Sequence, residues 1–570
     1  MRIHGGKLLM MSAMAAALCW SDAATAWSRK LTGDAKVLHA LNRLTFGPRP
    51  GDVERVRKMG LDRWIERQLH PATIEESPVL AERLAPLDSV RMPMGEMTVK
   101  YPPRQLIRAV ANAKLPERVT AGMSDAQRRA LDRLAGQYKA RLGGAGGSEA
   151  AASPPRVRGL RDLSFEKRRE ELARYAPQLL ITSDLIENKL YRAVYSERQL
   201  EEVLVDFWFN HFNVYLNKGP VRHLTTSYER DAIRPFVLGK FRDMLRATAE
   251  HPAMLFYLDN WRSVDPEAAV RMRGNSRGAR VQALLRARGL NENYGRELLE
   301  LHTLGVDGGY TQKDVVEVAR CFTGWTIGTL LYDPRFQYVD RVHDKGGKIV
   351  LGHRIPAGGG MEDGLRVLDI LAAHPSTAKF LSRKLAQRFV ADDPPQALVD
   401  HMAATYLKSG GDLREVMRTM FHSREFFSQG AYRAKMKSPL EMAVSAVRAL
   451  DAGVQAALPL SKAIEELGQP LYRKEEPTGY KDTAGEWVNT AGLLARMNFS
   501  LQLAAGKLRG IEVVSGRLPS SDLRQAALFL LHDEPTFALR SALEKGLEGR
   551  QATPAQVAGL VLGSPEFQRR

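Results

Sequence analysis

The stretch EEVLVDFWFNHFNVYLNKG, residues 201–219, decides the fold class. Val203, Leu204, Phe207, Trp208, Phe209, Phe212 and Val214 surround nearly the whole of a helix drawn through it, which predicts a helix buried on almost every side. Asp206, Asn210, Asn213 and Asn217 nevertheless recur at i, i+4, i+7 and i+11 and form a polar stripe. A buried polar group without a partner costs roughly 1–3 kcal/mol. The stripe therefore has to face water, another polar helix or a ligand. His211 falls off the stripe, on the apolar side with Phe207, where a lone histidine is more often a satisfied core residue than a ligand.

Working outward, the chain stays helical. NENYGRELLELHTLG (residues 291–305) has Asn291 as a natural N-cap and Gly305 as a stop. Asn293, Glu297 and Glu300 share one face with Arg296 beside them, and Tyr294, Leu298 and Leu301 make the opposite, packing face. His302 points away from the carboxylates if that helix is regular. Next, Thr311 and Asp314 form a T-x-x-D capping signature for a helix that Gly324 ends. VLHALNRLTFGPRPGDVERVRKMGLDRWIERQLHP, from Val37, reads as three short helices broken at Gly47-Pro48, Gly60 and Pro71. Strands are scarce, and one hairpin is expected near 335–355: Arg335–Asp340 alternates, HDKGGK turns, and Ile349–Ile355 returns. Its turn carries His343-Asp344, a pair that can bind metal or move protons and is also ordinary turn chemistry. Two helices should then meet at His374-Pro375. Leu413–Phe426 and Ala555–Phe567 echo one another, each a helix, a capped turn and a phenylalanine plug. The expected class is mainly α, a multi-helix globular protein with one small hairpin.

At the other end of the argument stands the N-terminus. Arg2 and Lys7 precede an apolar stretch, Leu8–Trp20, and Ala24-Thr25-Ala26 fits an A-x-A cleavage site before Trp27. Leu18 before Cys19 disfavours a lipoprotein acceptor. No later run is long enough to span a bilayer. The expected organisation is a leader over 1–26, an N-terminal helical part over 27–114, a basic insert over 115–170 with a Gly/Ala/Ser-rich spacer, a main helical part over 171–510 and C-terminal helices over 511–570. The expected location is periplasmic or secreted. Cleavage would leave Cys321 alone, so no internal disulfide can form. Set among Arg320, Phe322 and Trp325, this cysteine reads as packing rather than as a nucleophile.

The formal net charge is +18, and losing Arg2, Lys7 and Asp22 with the leader (−2 + 1) leaves +17. Such a balance suits anionic surfaces or polymers. Residues 270–290 hold six arginines and no acid, read either as a charged lid or as a solvated loop. No RNP-type or zinc-finger pattern supports nucleic acid. H-E-x-x-H, G-x-S-x-G, a P-loop and a dinucleotide fingerprint are absent, and Ser376-Thr377-Ala378-Lys379 lacks the partner motifs of an S-x-x-K enzyme.

ALNRLTFGPRPGDVERV, FWFNHF, NENYGRELLELHTLGVDGGYTQKDVVEVARCFTGWT, HDKGGKIVLG, HPSTAKFLSRKLAQRFV, KMKSPLEM and GYKDTAGEWVNTAGLLARMNF occur in order from Ala40 to Phe499. In these the chain resembles the bacterial domain-of-unknown-function family 1800. The resemblance implies an exported, mostly helical protein. It also implies a co-encoded exported partner resembling alkaline phosphatase-like hydrolases. Two readings of function follow. One is a hydrolase-like envelope enzyme whose Asp206, Asn210, Asn293, Glu297 and Glu300 converge on a hard cation (Ca²⁺, Mg²⁺ or Mn²⁺), with His211, His302 or His343 as general base. The other is a non-catalytic binding or assembly factor for an anionic envelope polymer or a partner protein. An Arg-Glu-Asn network that only fixes helix packing would show the same spacing as the first reading.

Overall fold

The computed structural model describes residues 26–112, 125–144, 164–268, 270, 289–329, 333–547 and 551–570. The expected leader, the 145–159 part of the spacer and the arginines of 271–288 lie outside the described residues. The class is mainly α, with three two-stranded antiparallel ladders. The helices that position the site are α1 (Gly33–Leu44), α2 (Gln178–Tyr195), α3 (Gln199–His211), α4 (Glu292–Leu299), α5 (Gln312–Cys321), α6 (Glu362–Ala372), α7 (Pro375–Phe389), α8 (Pro439–Ala449), α9 (Thr490–Ala504) and α10 (Pro554–Gly563).

Several ends form where the sequence places them. The Asn291 side chain accepts from the Tyr294 N–H and starts α4. Thr311 and Asp314 close a reciprocal capping box on α5. His374 caps α7, its ring accepting from the Ser376 N–H at 3.1 Å, with Pro375 at the first position. The two echoed plugs are real: Ser423 accepts from the Phe426 N–H and Ser564 from the Phe567 N–H, and both phenylalanines are buried.

The β structure needs a correction. The single hairpin expected near 335–355 is two. β1 (Trp325–Thr329) pairs with β2 (Asp333–Tyr338), while β3 (Lys348–Val350) pairs with β4 (His353–Ile355). Arg335–Asp340 therefore turns back onto the Trp325 segment, and the expected turn HDKGGK only links the two hairpins. The tight turn of the second is Leu351-Gly352, both at positive φ, a pattern typical of two-residue hairpin loops.

One cluster of buried apolar residues runs from Val37 to Phe567 through α1, α2, α3, α7, α8 and α10. α3 lies at its heart: Phe207, Trp208, Phe209 and Phe212 are each at most 5 % exposed, and burying a phenylalanine contributes roughly 1.5–3 kcal/mol. α4 approaches α5 closely because Gly295 has no side chain; a Cβ there would sit 2.8 Å from the Val315 carbonyl. The Asp125–Gly144 helix packs outside the main core, against Arg104–Ala111, where Leu131 joins Leu106 and Ile107 in a small separate cluster.

Cys321 is fully buried, and that burial pushes its thiol well up. The native protein should therefore resist iodoacetamide at mildly alkaline pH and react completely once denatured in guanidinium. Rapid native alkylation, read by mass spectrometry, would contradict the packing role.

Candidate functional site

The polar stripe on α3 is matched by backbone from a loop far away in the sequence. α3 stops at His211, one residue before Phe212, so Asn213 and Asn217 leave the helix. The Asn210 side chain donates to the Tyr480 carbonyl at 2.8 Å and accepts from the Tyr480 N–H at 2.8 Å, a two-point clasp. Asn213 donates to the carbonyls of Lys474 and Glu476. Gly479 lets the loop come this close: its φ is +67°, and a Cβ on it would lie 2.6 Å from the Asn210 amide oxygen and nearer still to the Asn210 carbonyl. Main-chain groups of 474–480 thus satisfy Asn210 and Asn213, while Asn217 accepts from the Arg222 guanidinium at 2.8 Å.

Between this loop, α2, α3 and α7 lies a cleft with about 590 Å³ of empty space, part of it open to solvent. Four cations line it (Lys189, Arg388, Lys474 and Lys481) against two carboxylates, Asp206 and Asp482. Phe209, Tyr472, Tyr480 and Trp487 supply aromatic surface, with the Tyr480 and Trp487 rings 5.2 Å apart. On the floor, Asp206 is held by Lys189 at 2.8 Å and by Arg388 at 3.9 Å. Arg388 also reaches Asp482 at 3.4 Å and Glu441 of α8 at 2.8 Å. Burial works against the charge of Arg388, yet Glu441, Asp482 and Asp206 together hold its guanidinium above its ordinary value. Burial opposes the Glu441 charge too, but Arg388 and Arg570 bring its carboxyl down to about 2. The floor is thus a set of fixed, mutually paired charges. Lys481 differs: it stands exposed at the cleft with no ion-pair partner among the described residues.

One helical turn before Arg388 on α7, Lys384 meets one of the expected bases, His211, which in turn bonds the backbone of another, His302. The Lys384 Nζ donates to His211 Nδ1 at 3.1 Å, and His211 Nε2 donates to the His302 carbonyl at 3.1 Å. The His211 and His302 rings lie 6.3 Å apart. That carbonyl is available because α4 does not run on as a regular helix. Residues Glu300–Leu304 form one wider π-turn, with the Thr303 hydroxyl bonded back to the Leu298 carbonyl. Burial, followed by the Lys384 charge, keeps both imidazoles well below the usual histidine range, His302 down to about 3.

The remaining expected residues sit elsewhere, so the five oxygen donors do not converge. Asp206 and Asn210 line the cleft, but Asn293, Glu297 and Glu300 do not. Asn293 is exposed on α4, and Glu300 accepts from the Tyr310 hydroxyl at 2.7 Å. Glu297 is half-buried, and burial first and the charge of Glu300 second raise its carboxyl. The face of Asn293, Glu297 and Glu300 is therefore not the partner of the Asp206 stripe, because the 474–480 loop occupies that place. Among the described residues no three of His, Cys, Asp and Glu are grouped to hold a metal ion. His343 is buried with both ring nitrogens engaged, Nδ1 on the Thr323 carbonyl at 2.8 Å and Nε2 on Asp363 at 3.1 Å. Lys348 also binds Asp363, at 2.6 Å. This is a buried brace between the second hairpin and α6.

Lys384, Arg388, Lys481 and Asp482 are the site residues that periodicity misses. Lys384 and Arg388 look like the solvated face of an amphipathic helix. The only hint is the GYKDTAGEW segment, where glycine, aromatic and charged residues crowd together outside any helical pattern.

No curated protein and no solved structure matches the chain. A family model described as "Protein of unknown function (DUF1800)" matches residues 39–569, which include α3, α4, α7 and the cleft loop. The chain therefore belongs to the DUF1800 family.

Proposed function

We propose that this cleft is a binding site for an acidic carbohydrate polymer outside the cytoplasm. The observation that carries the reading is Lys481, an exposed cation with no ion-pair partner among the described residues, on a cleft walled by Tyr472, Tyr480 and Trp487. Aromatic faces pack the apolar faces of sugar rings, amides and paired charges bind hydroxyls, and the unpaired Lys481 is free to meet a carboxylate. A hydrolytic reading is less well supported. Asp206 and Asp482 are both tied to Arg388, Asp206 also to Lys189, and Asp482 takes the Lys435 ammonium on its backbone carbonyl. Carboxylates committed to these cations have fewer oxygen lone pairs left to meet a substrate proton, which suits positioning better than proton transfer. Fluorescence-anisotropy titration with a labelled oligogalacturonate tests the proposal. The expected result is saturable binding that weakens with added salt and falls about tenfold in Lys481→Glu. Binding unaffected by salt and by that substitution would count against it.

The extracytoplasmic part of the proposal rests on the leader-like sequence before Trp27. Among the described residues no helix is long and apolar enough to cross a membrane. The first described residues dock on the fold: the Trp27 ring lies against Gly430, where a Cβ would fall 2.6 Å from it. N-terminal sequencing of protein recovered from the periplasm should begin at Trp27. Recovery of only the full-length chain from the cytoplasm would defeat this part.

A further inference from the structure

We infer that Lys384 is a nucleophilic amine that condenses with a small carbonyl compound, an aldehyde or 2-oxo acid, to form an imine. The inference does not depend on the carbohydrate reading of the cleft.

The argument starts from what surrounds the amine. Lys384 is only partly exposed. His211 faces it from α3, and the Phe380 ring lies 5.5 Å away on its own helix. His302 of the π-turn adds a second neutral imidazole beyond His211. No carboxylate pairs with it among the described residues; Asp482 acts on it only through space, and Arg388 follows one turn later on α7. An ammonium boxed in by rings, with one acceptor for three donors, is poorly solvated. Burial therefore brings the Lys384 amine down to about 8, so a useful share is neutral near physiological pH.

The histidine fixes where the amine lone pair goes. A carbonyl can only accept, so His211 must carry its proton on Nε2 to bond the His302 oxygen, which leaves Nδ1 as an acceptor. Neutral Lys384 then donates one N–H to Nδ1, and its lone pair takes no part in that bond. This is how a lysine is made nucleophilic without a carboxylate neighbour. In the reaction a bond forms from Nζ to the carbonyl carbon as the C=O π-pair moves to oxygen. One amine proton passes to that oxygen, giving a carbinolamine. The second amine proton and the hydroxyl then leave as water, and the nitrogen lone pair closes the C=N bond. No oxidant or reductant is required. The three segments that build this arrangement, FWFNHF, ELLELHTLG and HPSTAKFLSRKLAQRFV, all lie within the family match.

The test uses the whole wild-type protein, glyoxylate as the probe and cyanoborohydride to trap any imine as a stable secondary amine, mapped by peptide mass spectrometry. At neutral pH, Lys384 should be modified at least about tenfold faster than exposed lysines such as Lys58 and Lys507. Its rate should level off above about pH 8, while theirs goes on rising into the ordinary lysine range. Modification of Lys384 no faster than that of Lys58 and Lys507, or none at all, overturns the inference.

Discussion

Replacing Glu441 by Gln is expected to cost about 3–5 kcal/mol of folding stability, the usual loss when one partner of a buried charge pair is removed. The substitution is nearly isosteric, and the amide oxygen can still accept from the Ser438 N–H that the carboxylate now binds at 2.9 Å. What disappears is the anion shared by Arg388 at 2.8 Å and Arg570 at 3.0 Å. Both guanidiniums are buried, with Arg43 buried nearby; Arg388 would keep only Asp482 and Asp206, and Arg570 would lose the one ion pair it makes among the described residues. Urea unfolding should show the loss as a lower midpoint at unchanged slope. A change below about 1 kcal/mol would mean the cluster is solvated and the floor of the cleft is not held as described. The same group sets an acid limit. The Glu441 carboxyl is depressed in the folded protein to about 2, so its contribution is fully present above the unfolded value of about 4.3 and is lost as pH falls through 2. Acid sensitivity in that window should be blunted in Glu441→Gln.

Gly479→Ala is the second large effect, because it strikes the clasp that makes the cleft. The methyl group would have to occupy space within 2.6 Å of the Asn210 amide oxygen, on a backbone at φ +67°. Strain of this kind costs on the order of 1–3 kcal/mol before any steric displacement. The loop is expected to lift from α3 while the helical core persists. Far-ultraviolet circular dichroism should be unchanged, and the Tyr480 amide, which donates to Asn210 at 2.8 Å, should lose its protection from hydrogen exchange. Affinity for the acidic ligand should fall more than about tenfold. Parent-like protection and affinity together would show that the clasp does not shape the cleft.

Much of the fold was legible because helix ends are marked by local chemistry. Asn291, the Thr311–Asp314 box, His374-Pro375 and the two phenylalanine plugs all depend on residues within about one turn of each other, which spacing can read. The α3 stripe was legible in the same sense: polar residues on a buried helix announced a need for partners. The identity of the partners was not. Lys474, Glu476 and Tyr480 meet the stripe through main-chain groups, and every residue type carries those. The acidic face of α4 was the visible alternative, since its side chains advertise charge. The π-turn at Glu300–Leu304 has no residue signature in the sequence, so the meeting of His302 with His211 and Lys384 could not be foreseen. The hairpin differs from the expectation because an alternating strand does not say which neighbour it pairs with, and Trp325–Thr329, just beyond the helix expected to end at Gly324, was assigned no strand.

The central claim is that the cleft recognises negative charge carried on sugar rings. The most direct measurement is a pair of calorimetric titrations of the wild-type protein with one oligogalacturonate, first as the free acid and then fully methyl-esterified. The two ligands share rings, linkages and length and differ in charge. The account predicts one-to-one binding of the free acid and at least tenfold weaker binding of the ester, about 1.4 kcal/mol or more. Equal affinity for the two, or binding of neither, would contradict it.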